Sequence, residues 1–310
     1  RRQLTKWNRE DRTVTRYPLL LSPPAKRQLY ERFKKLTEPE HRMFRYDTFR
    51  ENCATRVRDA LDEATEGQLS RTWKSRETVD TFRDRARYGY SHYPAFLFLL
   101  DWGAGRVMDS PRTAWQRAGE PAYFQSAIPE LTSKEGRPLF GAGIVEAERR
   151  GPAAVGGSTT WVTLISCALG FFILLLAWQW RAGAGRLSGA VLGGWGLFCG
   201  TFGAVLLLLH CISLWPETRE NWLMAGAFPL DIILLIPAWI WLRGGQRVHP
   251  WVIGYVRFRV CLFAAALFAE WLIEPGYGPL GPRVVLLGGW VLVNRLLDQA
   301  VRGEPSETPV

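Results

Sequence analysis

The second half of the chain consists of long apolar stretches separated by short polar links. Five stretches lack the polar face of a soluble helix, and they cover residues 160–180, 188–214, 222–242, 251–273 and 284–301. Each is near the ~20 residues that cross a bilayer core as a helix. Tryptophans gather at the ends of these stretches, as is typical of the aromatic belt at a membrane surface. The pattern predicts five transmembrane helices.

The first half shows amphipathic patterns instead. In residues 24–36, Leu29, Phe33 and Leu36 recur at helical spacing among lysines and arginines, which predicts an amphipathic helix. This periodicity is that of a soluble fold with one apolar face buried.

A second amphipathic helix is predicted to begin at Cys53. Val57, Leu61 and Ala64 follow Cys53 at helical spacing, so this stripe is expected to point into the fold. The charged residues of the same helix are expected to face away from the fold: Arg56, Arg58, Asp59 and Asp62. Asn52 precedes the helix and is a favourable N-cap residue.

Cys53 is therefore placed at the N-terminus of a helix, where the partial positive charge of the backbone favours a thiolate. Papain-like enzymes hold their nucleophile at such a position, with a histidine from elsewhere as the base. The residues alone leave two interpretations open, a nucleophile or a small cysteine packed beneath the helix.

Charge separates the two halves of the chain. The net charge is +10, and residues 1–157 carry 29 Lys and Arg against 21 Asp and Glu, while residues 158–310 carry 10 against 8. We expect a basic soluble domain over 1–157 and a transmembrane domain over 158–310. A basic face beside a membrane suits anionic lipid headgroups. The sequence has no nucleic-acid motif, no metal-ligand spacing and no phosphate-binding glycine motif, so we expect no nucleic acid, no metal and no cofactor.

Arginines in the polar links set the expected orientation. The first and third links and the C-terminal tail hold Arg181, Arg186, Arg243, Arg247 and Arg302. Positively charged loops stay on the cytoplasmic side. Five crossings then place the N-terminal domain outside the cytoplasmic membrane.

Three polar residues are predicted to lie near the outer ends of the helices, namely His210, Asn221 and Glu270. Polar groups at a lipid interface need partners. We expect the three to line a pocket beneath the soluble domain, within reach of Cys53 or its lipid. A purely structural network is the alternative.

Charged residues are also predicted deeper in the membrane. Asp231 lies inside the third stretch, and Arg257 and Arg259 lie in the fourth, at a depth similar to that of Asp298 in the fifth. We expect the two arginines to reach the interface or to pair with Asp298.

The segment YDTFRENCATRVRDAL, residues 46–61, resembles a signature of the Lnb family of bacterial lipoprotein N-acyltransferases. The matching residues are Tyr46, Phe49, Asn52, Cys53, Thr55, Arg56, Arg58, Asp59 and Leu61. Two further segments are similar to the family, LLDWGAGRVMDSPRTAWQRAGEPAYFQSAI and HCISLWPETRENWLMAGAFPLDIIL. The resemblance implies an α+β papain-like periplasmic domain followed by an all-α bundle of five transmembrane helices in the bacterial inner membrane.

The resemblance also implies acyl transfer. Cys53 would carry a fatty acyl chain from a membrane phospholipid as a thioester and pass it to the α-amino group of a lipid-modified N-terminal cysteine on a bacterial lipoprotein. The backbone N–H of Cys53 and the side chain of Asn52 are candidate donors to the oxyanion. The residues expected in the substrate or headgroup region are Arg56, His210, Asn221 and Glu270.

The sequence departs from the family in one respect. Family members carry a Gly-His-Ser-like segment upstream of the cysteine, and its histidine is the expected base. The segment is absent here, so we expect it upstream of Arg1, in an N-terminally truncated member; His41 and His92 are expected to be surface or packing residues. Two other functions remain open: a membrane-anchored cysteine peptidase or amidase of the cell envelope, and a non-enzymatic partner-binding protein.

Overall fold

The computed structural model describes residues 2–153, 156–181, 184–245, 247–273 and 278–302. The chain forms two compact units. The first unit comprises residues 1–82 and 111–154, and the second comprises residues 83–110 and 155–310. The sequence did not predict that residues 83–110 would pack with the C-terminal half.

Helices and strands follow one another along the whole chain. The α-helices and β-strands are α1 Arg2–Arg9, β1 Val14–Arg16, α2 Pro23–Thr37, α3 Cys53–Ala64, α4 Gln68–Trp73, β2 Glu77–Thr81, α5 Phe82–Gly89, α6 Pro94–Gly103, β3 Pro111–Thr113, α7 Ala114–Arg117, α8 Pro121–Ala127, β4 Ile144–Ala147, α9 Thr160–Gln179, α10 Arg186–Ile212, α11 Leu235–Leu242, α12 Pro250–Ile273 and α13 Leu280–Arg302. Short 3-10 helices cover Arg106–Asp109, Ile128–Glu130, Pro216–Thr218, Trp222–Ala225 and Pro229–Leu234.

The first unit joins small helices to two pairs of antiparallel strands. Strand β1 pairs with β4, and β2 pairs with β3. Helix α2 forms where the amphipathic pattern predicts it, and Ser22 caps it by accepting a hydrogen bond from the backbone N of Ala25. Leu29 of α2 and Leu61 of α3 are buried in one core with Trp73. This core supports α3 from one side and leaves its N-terminus at the surface.

The second unit contains the apolar helices. Four of them, α9, α10, α12 and α13, are long and apolar enough to cross a membrane, and a bent pair of segments could form a fifth span. The prediction of a helical transmembrane region is thus supported by four continuous helices and a broken segment.

The third predicted stretch, residues 222–242, differs from the expectation because it is not one helix. The axis bends by 41° between the segments 216–225 and 229–242. Pro229 lacks a backbone N–H and opens a new 3-10 turn, and the carboxylate of Asp231 accepts a hydrogen bond from the backbone N of Phe228 at 2.7 Å. The side chain of Asp231 thereby satisfies a backbone group that the break in the helix exposes.

Small residues let the helices of this unit pack closely. A Cβ atom added to Gly170 of α9 would lie 2.7 Å from the backbone carbonyl carbon of Val284 in α13. A Cβ atom on Gly203 of α10 would lie 2.5 Å from the Cα of Phe228. Glycine is therefore required sterically at both contacts.

The two arginines of α12 have different partners. Arg257 pairs with Asp298 at 3.2 Å, as the sequence predicts. The prediction was wrong for Arg259, which is buried and pairs with Asp231 at 2.7 Å. The hydroxyl of Tyr255 also donates to Asp231, at 2.6 Å. Arg257 and Arg259 are two positions apart, which is a rotation of about 200° around the helix axis, so their side chains face nearly opposite sides.

Candidate functional site

The turn before α3 is held by its own side chains. Oδ1 of Asp47 accepts hydrogen bonds from the backbone N of Phe49 at 2.9 Å and of Arg50 at 2.8 Å. Oδ1 of Asn52 accepts from the backbone N of Ala54 and Thr55, at 2.8 and 3.0 Å. Oγ1 of Thr55 accepts a hydrogen bond from the backbone N of Asn52, which completes a capping box. The predicted N-cap role of Asn52 is confirmed, and Cys53 is the first residue of the helix.

Cys53 itself is exposed, so the expectation that it points into the fold was wrong. Val57, one turn further on, is also 46% exposed, while Leu61 and Ala64 are buried. The apolar stripe of α3 is therefore buried only at its C-terminal end. At its N-terminal end the stripe faces an open cleft.

The Cys53 cleft, as we name it, has a volume of about 780 Å³. Its walls come from α1, β1, α2, α3 and α8 and from the loops beside them. The apolar residues that line it include Trp7, Val14, Leu19, Leu29, Phe33, Val57, Leu61, Phe124, Ile128 and Phe140. A thiol therefore lies at the edge of an apolar space that the sequence did not predict.

Polar residues in the Cys53 cleft are few. They are Arg12, Thr13, Thr15, Tyr17, Arg58 and Gln125 besides Cys53. Among the described residues that line the cleft there is no histidine or carboxylate. The base for Cys53 therefore remains a prediction from the resemblance. In the described ranges, no group of three His, Cys, Asp or Glu side chains is placed to hold a metal ion.

The arginines of α3 do not all face away from the fold. Arg58 is buried; its Nη1 donates to the backbone O of Trp115 at 2.7 Å, and its guanidinium lies 3.9 Å from the centre of that indole ring. Arg56 pairs with Glu51 at 2.8 Å and stacks over Phe44 at 4.3 Å. Arg58 thus fixes α3 to the fold, and the sequence misassigned it because its aromatic partner lies 57 residues away.

A charged network lies behind the Cys53 turn. Phe82 packs edge-on against Phe49, with ring centroids 5.4 Å apart, and the buried guanidinium of Arg112 lies 5.7 Å from the Phe82 ring. Arg112 pairs with both Asp80 and Glu120. Burial alone would raise the pKa of Asp80, but hydrogen bonds from Arg112 and Thr78 outweigh it and hold the pKa below its ordinary value. No motif in the sequence signals this support.

A second cavity lies in the second unit, and we name it the Arg83 cavity. Its volume is about 20 Å³, the room of one water molecule. Polar and charged residues dominate its lining: Arg83, Asp101, Arg106, Asp109, Asn221, Glu270 and Arg283. Two of the three polar residues expected to share a pocket, Asn221 and Glu270, do so. The third, His210, is not among the residues that line it.

Arg83 holds this cavity together. Its guanidinium pairs with Asp109 through two hydrogen bonds, of 2.7 and 2.9 Å. It also donates to the backbone O of Leu100 at 2.8 Å and of Ala104 at 3.2 Å. Asp101, also buried, accepts from Arg87 at 2.7 Å. The charged groups thus compensate one another inside the fold, as buried ions require.

Asn221, in the link after α10, and His210, in the last turn of α10, make different contacts. Oδ1 of Asn221 caps the 3-10 helix that follows it, accepting from the backbone N of Leu223 at 2.9 Å, and Nδ2 donates to the backbone O of Trp102 at 2.8 Å. His210 is exposed, and its Nδ1 accepts from the backbone N of Glu220 at 3.3 Å. Glu270 pairs with Arg283 inside the cavity. The role of these three residues in a substrate or headgroup region stays a prediction.

Comparison with known families agrees with the resemblance. Residues 4–87 match the family model described as the Lnb N-terminal periplasmic domain. The match includes the Asn52–Cys53 turn and is consistent with an Lnb-type family member. Searches of curated proteins and of solved structures gave no match. The family match and the apolar helices together fit a membrane protein with a periplasmic domain.

Proposed function

We propose that this chain is a lipoprotein N-acyltransferase of the bacterial inner membrane. Cys53 carries a fatty acyl chain as a thioester between a membrane phospholipid and the α-amino group of a lipid-modified N-terminal cysteine on a lipoprotein. The observation that carries the proposal is the exposed thiol of Cys53 at the edge of an apolar cleft. The Lnb domain match supports it independently.

The chemistry of the Cys53 cleft favours an acyl chain over a polar substrate. Its volume of about 780 Å³ lies within the range of ~300–1,000 Å³ that is usual for ligand sites. Each methylene of a chain that is buried there contributes about 0.8 kcal/mol. A peptidoglycan or peptide substrate, which the cysteine peptidase or amidase function requires, would instead need polar partners along the walls.

The proposed reaction has two steps. Cys53 gives its thiol proton to the base, and the thiolate attacks the ester carbonyl of the phospholipid; an S–C bond forms, the C–O bond breaks, and the lysophospholipid leaves as an alcohol that has taken up that proton. The neutral lipoprotein amine then attacks the thioester carbonyl; an amide C–N bond forms, the C–S bond breaks, and the proton that the amine gives up passes through the base to the leaving sulfur, which restores the Cys53 thiol. Two easier transfers replace one difficult transfer.

The turn before α3 provides candidates for oxyanion stabilisation. In the described part of the chain the backbone N–H of Cys53 has no hydrogen-bond acceptor, because the cap accepts from Ala54 and Thr55. Nδ2 of Asn52 already donates to the backbone O of Thr48 at 2.9 Å. We therefore assign the oxyanion first to the Cys53 N–H and second to Asn52. A papain-like arrangement and a histidine base are part of the proposal, as the resemblance implies.

Acyl labelling of the membrane-embedded protein tests the proposal. A phospholipid with an alkyne-tagged acyl chain should label Cys53, and hydroxylamine should release the label because thioesters are sensitive to it. Cys53→Ala should abolish both the label and N-acylation of a lipoprotein, followed by mass spectrometry of its N-terminal peptide. Cys211→Ser, at another exposed cysteine, is the matched control and should behave as wild type. Unchanged labelling in Cys53→Ala would refute the proposal.

A further inference from the structure

Helix α6 presents an apolar face outside the four long helices. Its single charged residue, Asp101, is buried against Arg87. Leu97 and Leu100 face inward, while Phe96 and Leu99 point outward, and the side chain of Leu99 is 70% exposed. Exposed tyrosines precede the helix in the chain: Tyr88, Tyr90 and Tyr93.

The inner face of α6 packs on two of the helices that could cross a membrane. The ring of Phe98 lies 6.3 Å from that of Trp161, the second residue of α9. One turn later, the ring of Trp102 lies 5.2 Å from that of Phe202 in α10. Phe202 is ten residues before the end of α10, which corresponds to about 15 Å along the helix axis. Helix α6 therefore runs from the level at which α9 begins toward the middle of the apolar helix α10.

The start of α9 is fixed to the same segment. Oγ of Ser91, which is buried, accepts hydrogen bonds from the backbone N of Gly156 and Gly157, at 3.0 and 3.1 Å. These bonds hold the loop before α6 at the end of the helix where α9 begins. The position of α6 beside the spans is thus built into the fold.

We propose that α6 is a non-spanning membrane helix, embedded in one leaflet with Phe96 and Leu99 against lipid acyl chains. Its ten residues extend about 15 Å, half of the ~30 Å hydrocarbon core. The neighbouring spans have apolar outward faces of the same kind; Phe171 of α9, for example, is 61% exposed. The exposed tyrosines match the headgroup level, which aromatic residues with a polar tip prefer. The proposal does not depend on acyl transfer.

Site-specific photocrosslinking of the full chain in phospholipid liposomes tests this placement. A diazirine-bearing aliphatic amino acid replaces Leu99, Phe171 or Val79, one at a time. Val79 is fully exposed and lies in the first unit, so it is the matched control for an exposed apolar residue outside the membrane. We expect lipid adducts at Leu99 and Phe171 and none at Val79. Peptide or water adducts alone at Leu99 would overturn the proposal, because they would mean that protein or solvent covers α6.

Thiol accessibility gives a second, independent measurement. Leu99→Cys should resist a membrane-impermeant maleimide in intact liposomes and react after detergent is added. Val79→Cys should react in both conditions, and peptide mass spectrometry separates these sites from the native cysteines. Equal reaction of Leu99→Cys with and without detergent would contradict a lipid-embedded α6.

Discussion

The Cys53 cleft and the Arg83 cavity differ in size and in the polarity of the residues that line them. The cleft is large, open and apolar, and the exposed thiol of Cys53 lines it. The cavity has room for about one water molecule, and charged groups that pair with one another fill its walls. The cleft therefore leaves apolar surface uncovered, whereas the charged groups of the cavity are already paired with one another.

This difference predicts where substitutions act. A change at an exposed residue of the Cys53 cleft, such as Val57, removes little that holds the first unit together, so it should alter activity more than stability. A change in the Arg83 cavity leaves a buried charge or carbonyl without a partner, so it should alter stability first.

The largest effect is expected at Arg83. Arg83→Met leaves the carboxylate of Asp109 buried without its partner, which typically costs about 3–5 kcal/mol. The thermal unfolding midpoint of the protein in detergent should fall strongly. Arg257→Met in the same unit is the control, because Arg257 and its partner Asp298 are far less enclosed by protein than Arg83 and Asp109, so the unfolding midpoint should fall less. Equal losses in the two variants would show that the cavity is not a structural centre.

The next effect is expected in activity rather than stability. Val57 lines the Cys53 cleft and is half exposed, so Val57→Asp should leave the unfolding midpoint nearly unchanged. A carboxylate there must lose water when an acyl chain enters, at a cost of about 2 kcal/mol or more. Acyl labelling of Cys53 should therefore fall by about 30-fold. Val79→Asp, at an exposed valine that does not line the cleft, should label normally; equal loss in both variants would exclude the cleft as the acyl site.

A smaller effect on stability is expected at Asn221, and a still smaller one at His210 in the last turn of α10. Asn221→Ala loses a helix cap and leaves the carbonyl of Trp102 without this donor, which should lower stability by about 1–2 kcal/mol. His210→Ala, at an exposed side chain, should cost less than about 0.5 kcal/mol. Thermal unfolding of both variants checks this order. If His210→Ala instead abolished N-acylation at normal stability, the headgroup role expected from the sequence would gain support.

The smallest effect is expected in the dependence of stability on pH at Asp80. The pKa of Asp80 in the folded protein is below its ordinary value, so ionisation of this carboxyl stabilises the fold. The contribution is complete above about pH 4 and is lost as the pH falls through the lowered pKa. The difference in thermal unfolding midpoint between wild type and Asp80→Asn should therefore shrink as the pH falls from 7 to 3. A difference in unfolding midpoint that stays constant across this pH range would mean that the charge of Asp80 does not contribute to stability.

Local sequence determined several features of this protein. The N-cap at Asn52 and the start of α3 at Cys53 follow from residues within one turn of each other. Four of the five apolar stretches form continuous helices because length and composition decide a membrane-type helix. Helix α2 likewise appears where its periodicity predicts it. Such features depend on neighbours at positions i+3 and i+4, which the sequence displays directly.

Only the tertiary structure decided the features that rest on distant partners. Periodicity placed Cys53 on an inward stripe, but none of the described helices and strands covers that end of α3, and an open cleft results. Arg58 is buried by an indole ring 57 residues away, and Arg259 is paired with a carboxylate 28 residues away. The pairing of a charge depends on which helix faces meet, and that is set by packing across the whole unit. The sequence grouped Asn221, Glu270 and His210 because all three lie near helix ends. Packing decided that only Asn221 and Glu270 line one cavity.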